Sequence, residues 1–219
     1  SRKAVIQGLN DSLKRLQLDY VDIYYAHRFD DTVALEETVN ALDQTVRDGK
    51  ALYIGISNYD TKQTKEAIAM FKDLHTPFVL NQYSYNMFNR TAETSGLINA
   101  LKADGAGLIA YGPLSEGLLS DRYLKGIPDT FKIHPTNKAT FAKGKEAVVK
   151  QLNALNEIAH DRDQTLSQMA LAWLLRDPVV TSVIIGTTSV EHLQDNLKAT
   201  EHLTFTAEEI QQIDDILNA

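Results

Sequence analysis

Gly49-Lys50-Ala51-Leu52-Tyr53-Ile54-Gly55-Ile56-Ser57-Asn58 is the stretch that decides the fold. Ala51 to Ile56 reads as a short, continuously apolar strand that stops at two small polar residues. Leu35 to Asp48 before it and Thr61 to Leu74 after it both carry apolar residues at helical spacing. A strand apolar on both faces and flanked by amphipathic helices belongs to a parallel sheet covered by helices, because such a sheet has no wet face.

The alternation extends outward in both directions. Toward the N-terminus, Val5 to Leu16 places Val5, Ile6, Leu9, Leu13 and Leu16 on one helical face, and Tyr20 to Tyr25 reads as a strand. Toward the C-terminus come a strand over Phe78 to Tyr83, a helix over Ser95 to Ala103 and a strand over Gly107 to Tyr111. A long irregular stretch from Pro113 to about Pro135 leads to helices over Lys145 to His160 and Leu166 to Leu175. A strand over Ser182 to Ile185, then helices over Val190 to Ala199 and Ala207 to Leu217, complete the pattern. The class is α/β, either a barrel or a doubly wound sheet. A closed barrel needs eight strands and usually about 250 residues, against five strands and 219 residues here. The chain also opens in a helix that should follow a strand, so strands N-terminal to Ser1 are expected to belong to the same fold.

Composition narrows the function. With 43% hydrophobic residues, the chain has ample material for one core. The absence of cysteine excludes disulfides, thiolate metal sites and cysteine nucleophiles, and favours an intracellular, cytoplasmic address. A net charge of −7 without a basic block argues against nucleic acid as the main partner. No apolar run is long enough to cross a bilayer, so no membrane association is expected. Apart from His27, the five histidines His75, His134, His160, His192 and His202 show no repeated ligand spacing, and no metal is expected. The adjacent acidic pairs, such as Asp30-Asp31 and Glu208-Glu209, read as solvated surface, since neighbours on a helix do not face one another.

In parallel α/β folds the ligand face lies at the C-terminal ends of the strands. At those ends stand Tyr25-Ala26-His27-Arg28, Gly55-Ile56-Ser57-Asn58, Asn81-Gln82-Tyr83, Tyr111-Gly112-Pro113-Leu114 and Gly186-Thr187-Thr188-Ser189. The last runs into a helix, and glycine with small hydroxyl residues at a helix N-terminus suits a phosphate. The simpler reading makes Thr188 or Ser189 only an N-cap. Ser57, Asn58 and Gln82 together can hold a planar carboxamide, and Tyr111 can stack on its ring. Each alone is as readily a turn residue or a satisfied core tyrosine. His27 is the best candidate for handling a proton or orienting a carbonyl, although a lone strand-end histidine is more often structural.

Leu18-Asp19-Tyr20-Val21-Asp22-Ile23-Tyr24-Tyr25-Ala26-His27, Gly49 to Asn58 and Gly112-Pro113-Leu114 resemble aldo-keto reductases over nearly the whole chain. Ala26-His27-Arg28-Phe29-Asp30, Asn81-Gln82-Tyr83-Ser84-Tyr85-Asn86 and Gly117-Leu118-Leu119 are most similar to bacterial reductases related to potassium-channel β-subunits, including the L-glyceraldehyde 3-phosphate reductase group. The resemblance implies a (β/α)8 TIM barrel of which the C-terminal five βα units are represented. It makes residues 1–219 a single domain lacking its N-terminal strands. It further implies NADPH as cofactor, a small carbonyl substrate such as methylglyoxal or glyceraldehyde 3-phosphate, and a homo-oligomer. Of the family's Asp, Tyr, Lys and His tetrad, only His27 has a counterpart here.

By the same resemblance, Ser57, Asn58 and Gln82 contact the nicotinamide carboxamide and Tyr111 stacks on its ring. Gly112, Pro113, Leu114 and Gly117 form the loop along the pyrophosphate, with Arg122 and Lys132 as cationic partners. Gly186, Thr188, His192, Asp195 and Asn196 match the adenosine-phosphate segment. His192 stands where many relatives have glutamine and Asp195 where many have glutamate. The competing reading is an NADP(H)-binding regulatory subunit like the channel β-subunits, or an inactive fragment; His27, which cofactor retention does not need, favours the enzyme.

Overall fold

A computed structural model describes residues 1–218. Five strands, β1 (Val21–Ala26), β2 (Ala51–Ser57), β3 (Phe78–Ser84), β4 (Gly107–Tyr111) and β5 (Val180–Ile184), follow one another in the sheet in chain order. The helices are α1 (Arg2–Leu16), α2 (Leu35–Arg47), α3 (Thr61–Asp73), α4 (Thr91–Thr94), α5 (Leu97–Asp104), α6 (Lys145–Asp161), α7 (Leu166–Leu175), α8 (Val190–Leu197) and α9 (Ala207–Asn218). β1 and β2 pair in parallel from Val21 opposite Ala51 to Ala26 opposite Ile56. β2 and β3 also pair in parallel, with a register shift between Ile54 and Gly55 that leaves Ser57 opposite Gln82. The α/β expectation and its parallel pairing therefore hold.

Among the boundaries that differ from the sequence reading, three have a plain local cause. The helix expected over Ser95 to Ala103 is α5 and begins at Leu97, because Gly96 takes φ 79° and serves as its N-cap. β5 starts at Val180, two residues before Ser182, since Val179 and Val180 are the buried residues of that run while Ser182 and Ile184 are exposed. The irregular stretch continues past Pro135 to Gly144, which has φ 88°, through short 3-10 turns at 121–123, 135–137 and 140–143.

The chain divides into two compact units: residues 1–83 with 92–109, and residues 84–91 with 110 onward. In the first, Val39 and Leu42 of α2 pack with Ile54 and Ile56 of β2 and with Ala67 and Phe71 of α3. Phe71 stacks on Phe78 with ring centroids 5.5 Å apart. Asp60 accepts a hydrogen bond from the Gln63 N–H, and Gln63 accepts one from the Asp60 N–H; this reciprocal cap fixes the start of α3 directly after the β2 end. In the second unit α7 is buried nearly all round, consistent with an apolar sequence on every face, and is capped in the same way by Thr165 and Gln168.

Candidate functional site

In the first unit, three strand ends meet at Asn58. Its backbone has φ 61°, a left-handed conformation that asparagine tolerates better than most residues. Its N–H donates to the Gln82 carbonyl at 3.0 Å, and its Nδ2 donates to the His27 carbonyl at 3.0 Å and to Ser57 Oγ at 3.1 Å. His27, Ser57, Asn58 and Gln82 are thus brought together, with Asn58 partly engaged in holding the others. His27 is exposed, Ser57 buried and Gln82 half-buried. The turn that follows is anchored by Asn81, fully buried, whose Nδ2 donates to the Tyr59 carbonyl at 3.0 Å and to Thr64 Oγ1 at 2.9 Å. Burial, with a smaller push from Asp30, raises the Tyr59 hydroxyl to about 12, so this tyrosine stays protonated at neutral pH. Burial also raises Tyr24 and Tyr25.

In the second unit, the ends of β4 and β5 open on one cleft of about 1270 Å³, above the usual range of about 300–1,000 Å³ for small-molecule pockets. One wall is the turn after β4, where Gly112, Pro113, Leu114, Glu116 and Gly117 line the space; Tyr111, the last residue of β4, is half-buried just before it. The other wall is the β5–α8 junction and α8, including Gly186, Thr188, His192, Asp195 and Asn196. Arg122, on the 3-10 turn at 121–123, also lines the cleft, whereas Lys132 is not among its lining residues.

At the β5–α8 junction the capping and cleft-lining roles fall on different residues. Ser189 is the N-cap, accepting from the His192 N–H at 3.4 Å, and Thr187 Oγ1 accepts from the Ser189 N–H at 3.2 Å. Gly186, Thr187 and Thr188 remain along the cleft, whereas Ser189 does not line it. The first N–H groups of α8 have no intrahelical acceptor, and the dipole there favours an anion. Glu116, Asp121 and Glu191 line the same space, so the anion preference is local to the junction and Arg122. The Asp195 carboxylate is already engaged: Gln168 Nε2 donates to Oδ1 at 2.8 Å and Thr165 Oγ1 to Oδ2 at 3.4 Å.

The sequence gives no individual role to Asn81, Asn86, Asn137 or Gln168, all buried amides. Asn81 and Gln168 interrupt otherwise apolar runs, a signal that a buried hydrogen-bond partner must exist. Asn137, in an irregular stretch, has no such signal. Among the described residues no cluster of three or more His, Asp or Glu is arranged to hold a metal, and no helix is long and apolar enough to cross a membrane.

Residues 1–218 match the family model described as "Aldo/keto reductase family". The chain is 44% identical over 218 residues to the L-glyceraldehyde 3-phosphate reductase of Escherichia coli (strain K12), covering 98% of this chain and 63% of that protein. It is 37% identical to a putative voltage-gated potassium channel subunit beta of Schizosaccharomyces pombe (strain 972 / ATCC 24843), covering 100% of this chain and 65% of that one. A solved structure of the thermostable aldo-keto reductase Tm1743 with the inhibitor epalrestat superposes with a TM-score of 0.78 at 34% identity, over 98% of this chain and 66% of the other. The chain thus spans a little under two thirds of the length of the proteins it matches. The five parallel-sheet strands with their intervening helices are five βα units of the barrel type those structures share. Sequence, strand order and superposition agree that this chain belongs to the aldo/keto reductase family.

Proposed function

We propose that the protein reduces small aldehydes or ketones to alcohols with NADPH, methylglyoxal and glyceraldehyde 3-phosphate being the substrates to try first. The observation that carries this reading is the second-unit cleft, whose walls are a glycine-bounded turn and a helix N-terminus, each at the C-terminal end of a strand. That combination suits a phosphate-bearing ligand. When bound, NADPH supplies the hydride for the carbonyl carbon.

Each residue then has a role its chemistry permits. The α8 N-terminus and Arg122 hold phosphate oxygens. His192 and Asn196 flank the adenosine, with Asp195 set by Gln168. Ser57, Asn58 and Gln82 hold the carboxamide, and Tyr111 stacks on the nicotinamide ring. His27 donates from its imidazole to the substrate carbonyl oxygen and fixes its direction. No residue of this chain is assigned the delivery of the proton to the product oxygen. On the same reading the chain is part of one cytoplasmic reductase domain that assembles with copies of itself.

The likeness to a channel β-subunit supports a second reading, cofactor binding with little turnover. Titration with NADPH followed by NADPH consumption with methylglyoxal and with glyceraldehyde 3-phosphate separates the two. Binding with turnover supports the reductase, binding alone the second reading, and failure to bind NADPH removes both.

A further inference from the structure

The turn that forms one wall of the cleft is conformationally expensive. Gly112, Ser115, Glu116 and Gly117 have φ of 62°, 51°, 58° and 82°. Glycine adopts such angles freely, but two consecutive non-glycine residues do not, and they persist only where the surroundings over-determine them. Bonds within the turn, from the Ser115 N–H to the Gly112 carbonyl at 3.0 Å and from the Leu118 N–H to the Ser115 carbonyl at 3.1 Å, close it without explaining why serine and glutamate occupy its left-handed positions.

The fixing comes from behind the turn. Ser115 is 2% exposed and turns away from the cleft that Leu114 and Glu116 line. Its Oγ donates to Asn137 Oδ1 at 2.8 Å, and Asn137 Nδ2 donates back to the Ser115 carbonyl at 3.5 Å. Asn137 is 1% exposed and ends a 3-10 turn far along the chain. A second buried amide holds the start of the turn: Asn86 Nδ2 donates to the Gly112 carbonyl at 2.8 Å, while its Oδ1 accepts from the Phe88 and Asn89 N–H groups at 3.0 and 2.8 Å. Neither asparagine lines the cleft.

We propose that Asn137 and Asn86 are positioning residues for the diphosphate of the cofactor, acting by clamping the Gly112–Gly117 turn from behind. This rests on the reading of the cleft as an NADPH site. A residue that only supported the core would affect every ligand of the cleft alike. A clamp on this turn acts on the diphosphate and leaves ligands held only by α8 untouched.

The test compares Kd for NADPH with Kd for adenosine 2′-monophosphate, which has no diphosphate, in the wild-type chain and in Asn137→Ala. The variant is expected to bind NADPH roughly tenfold more weakly, about one net hydrogen bond. Its affinity for adenosine 2′-monophosphate should stay within about twofold. Asn137→Ala with Ser115→Gly should recover NADPH binding, because glycine has no hydroxyl to orphan and takes positive φ without strain. Asn86→Ala is the second variant, expected to show the same ligand-selective loss if Asn137→Ala does not fold. Unchanged NADPH binding in a folded variant, or equal weakening of both ligands without recovery, overturns the proposal. A wild-type chain that binds neither ligand overturns the cleft assignment itself and the proposal with it, whereas selective binding of adenosine 2′-monophosphate alone overturns only the role of the turn.

Discussion

Replacing Glu209 by glutamine should destabilise the protein at neutral pH and not in acid. Arg162, 5% exposed just beyond α6, donates through Nη1 to Glu209 Oε1 at 2.8 Å, through Nε to Gln164 Oε1 at 2.9 Å and through Nη2 to the His202 carbonyl at 3.2 Å. Its guanidinium carbon stands 3.7 Å from the Phe205 ring centroid. A buried guanidinium does not shed its charge, so Glu209 is the counterion the site needs. Glu209 also accepts from the Thr206 N–H through Oε2 at 2.6 Å, capping α9. Burial pushes the Glu209 carboxyl up, but the Thr206 and Arg162 hydrogen bonds and the Arg162 charge outweigh it and hold it below its ordinary value.

Glutamine keeps the shape and one acceptor while removing the charge. Hydrogen bonds to charged groups contribute about 1.5–3 kcal/mol, and water reaching the partly exposed carboxylate puts the loss near the lower end, about 2 kcal/mol at pH 7. Because the folded value lies below the unfolded one, this stabilisation is complete above the unfolded glutamate value of about 4.3 and disappears as pH falls through the folded value. Urea unfolding of wild type and Glu209→Gln at pH 7 and again well below pH 4 measures it. Equal midpoints at pH 7, or a gap that persists undiminished in acid, would refute the reasoning.

Gly55→Ala should cost about 1–3 kcal/mol, because a Cβ there would lie 2.9 Å from Tyr25 ring carbons and 3.3 Å from Leu80 Cδ1; thermal unfolding reads it. Asn58→Val should destabilise the protein by at least about 1 kcal/mol, through a β-branched residue at φ 61° and the lost bonds to His27 and Ser57, whereas Asn58→Gly should lose only the bonds. His27→Ala should lower turnover of methylglyoxal by about 10²-fold or more with NADPH affinity unchanged, measured by steady-state kinetics beside a binding titration. Gln82→Ala should weaken NADPH binding roughly tenfold while leaving adenosine 2′-monophosphate unaffected, since a carboxamide contact acts on the nicotinamide alone.

The alternation of apolar strands and amphipathic helices determined the class and the order of the elements, because burial on both faces of a parallel sheet writes itself into local composition. The same logic placed candidate ligand residues at strand ends: Ser57 and Gln82 prove to be register partners, and Gly112, Gly117, Gly186 and His192 line one cleft. Short-range chemistry at the β5–α8 junction was legible too, although which hydroxyl caps the helix was not, since Thr188 and Ser189 offer the same group one residue apart. What the sequence could not disclose is which polar groups already have partners within the protein. Asn58 Nδ2 is tied to the His27 carbonyl and the Asp195 carboxylate to Gln168. Asn137 meets Ser115 across 22 positions, in a stretch without periodicity. Such pairings depend on long-range closure of the chain, where the requirement that every buried amide find a partner selects contacts that no local pattern records.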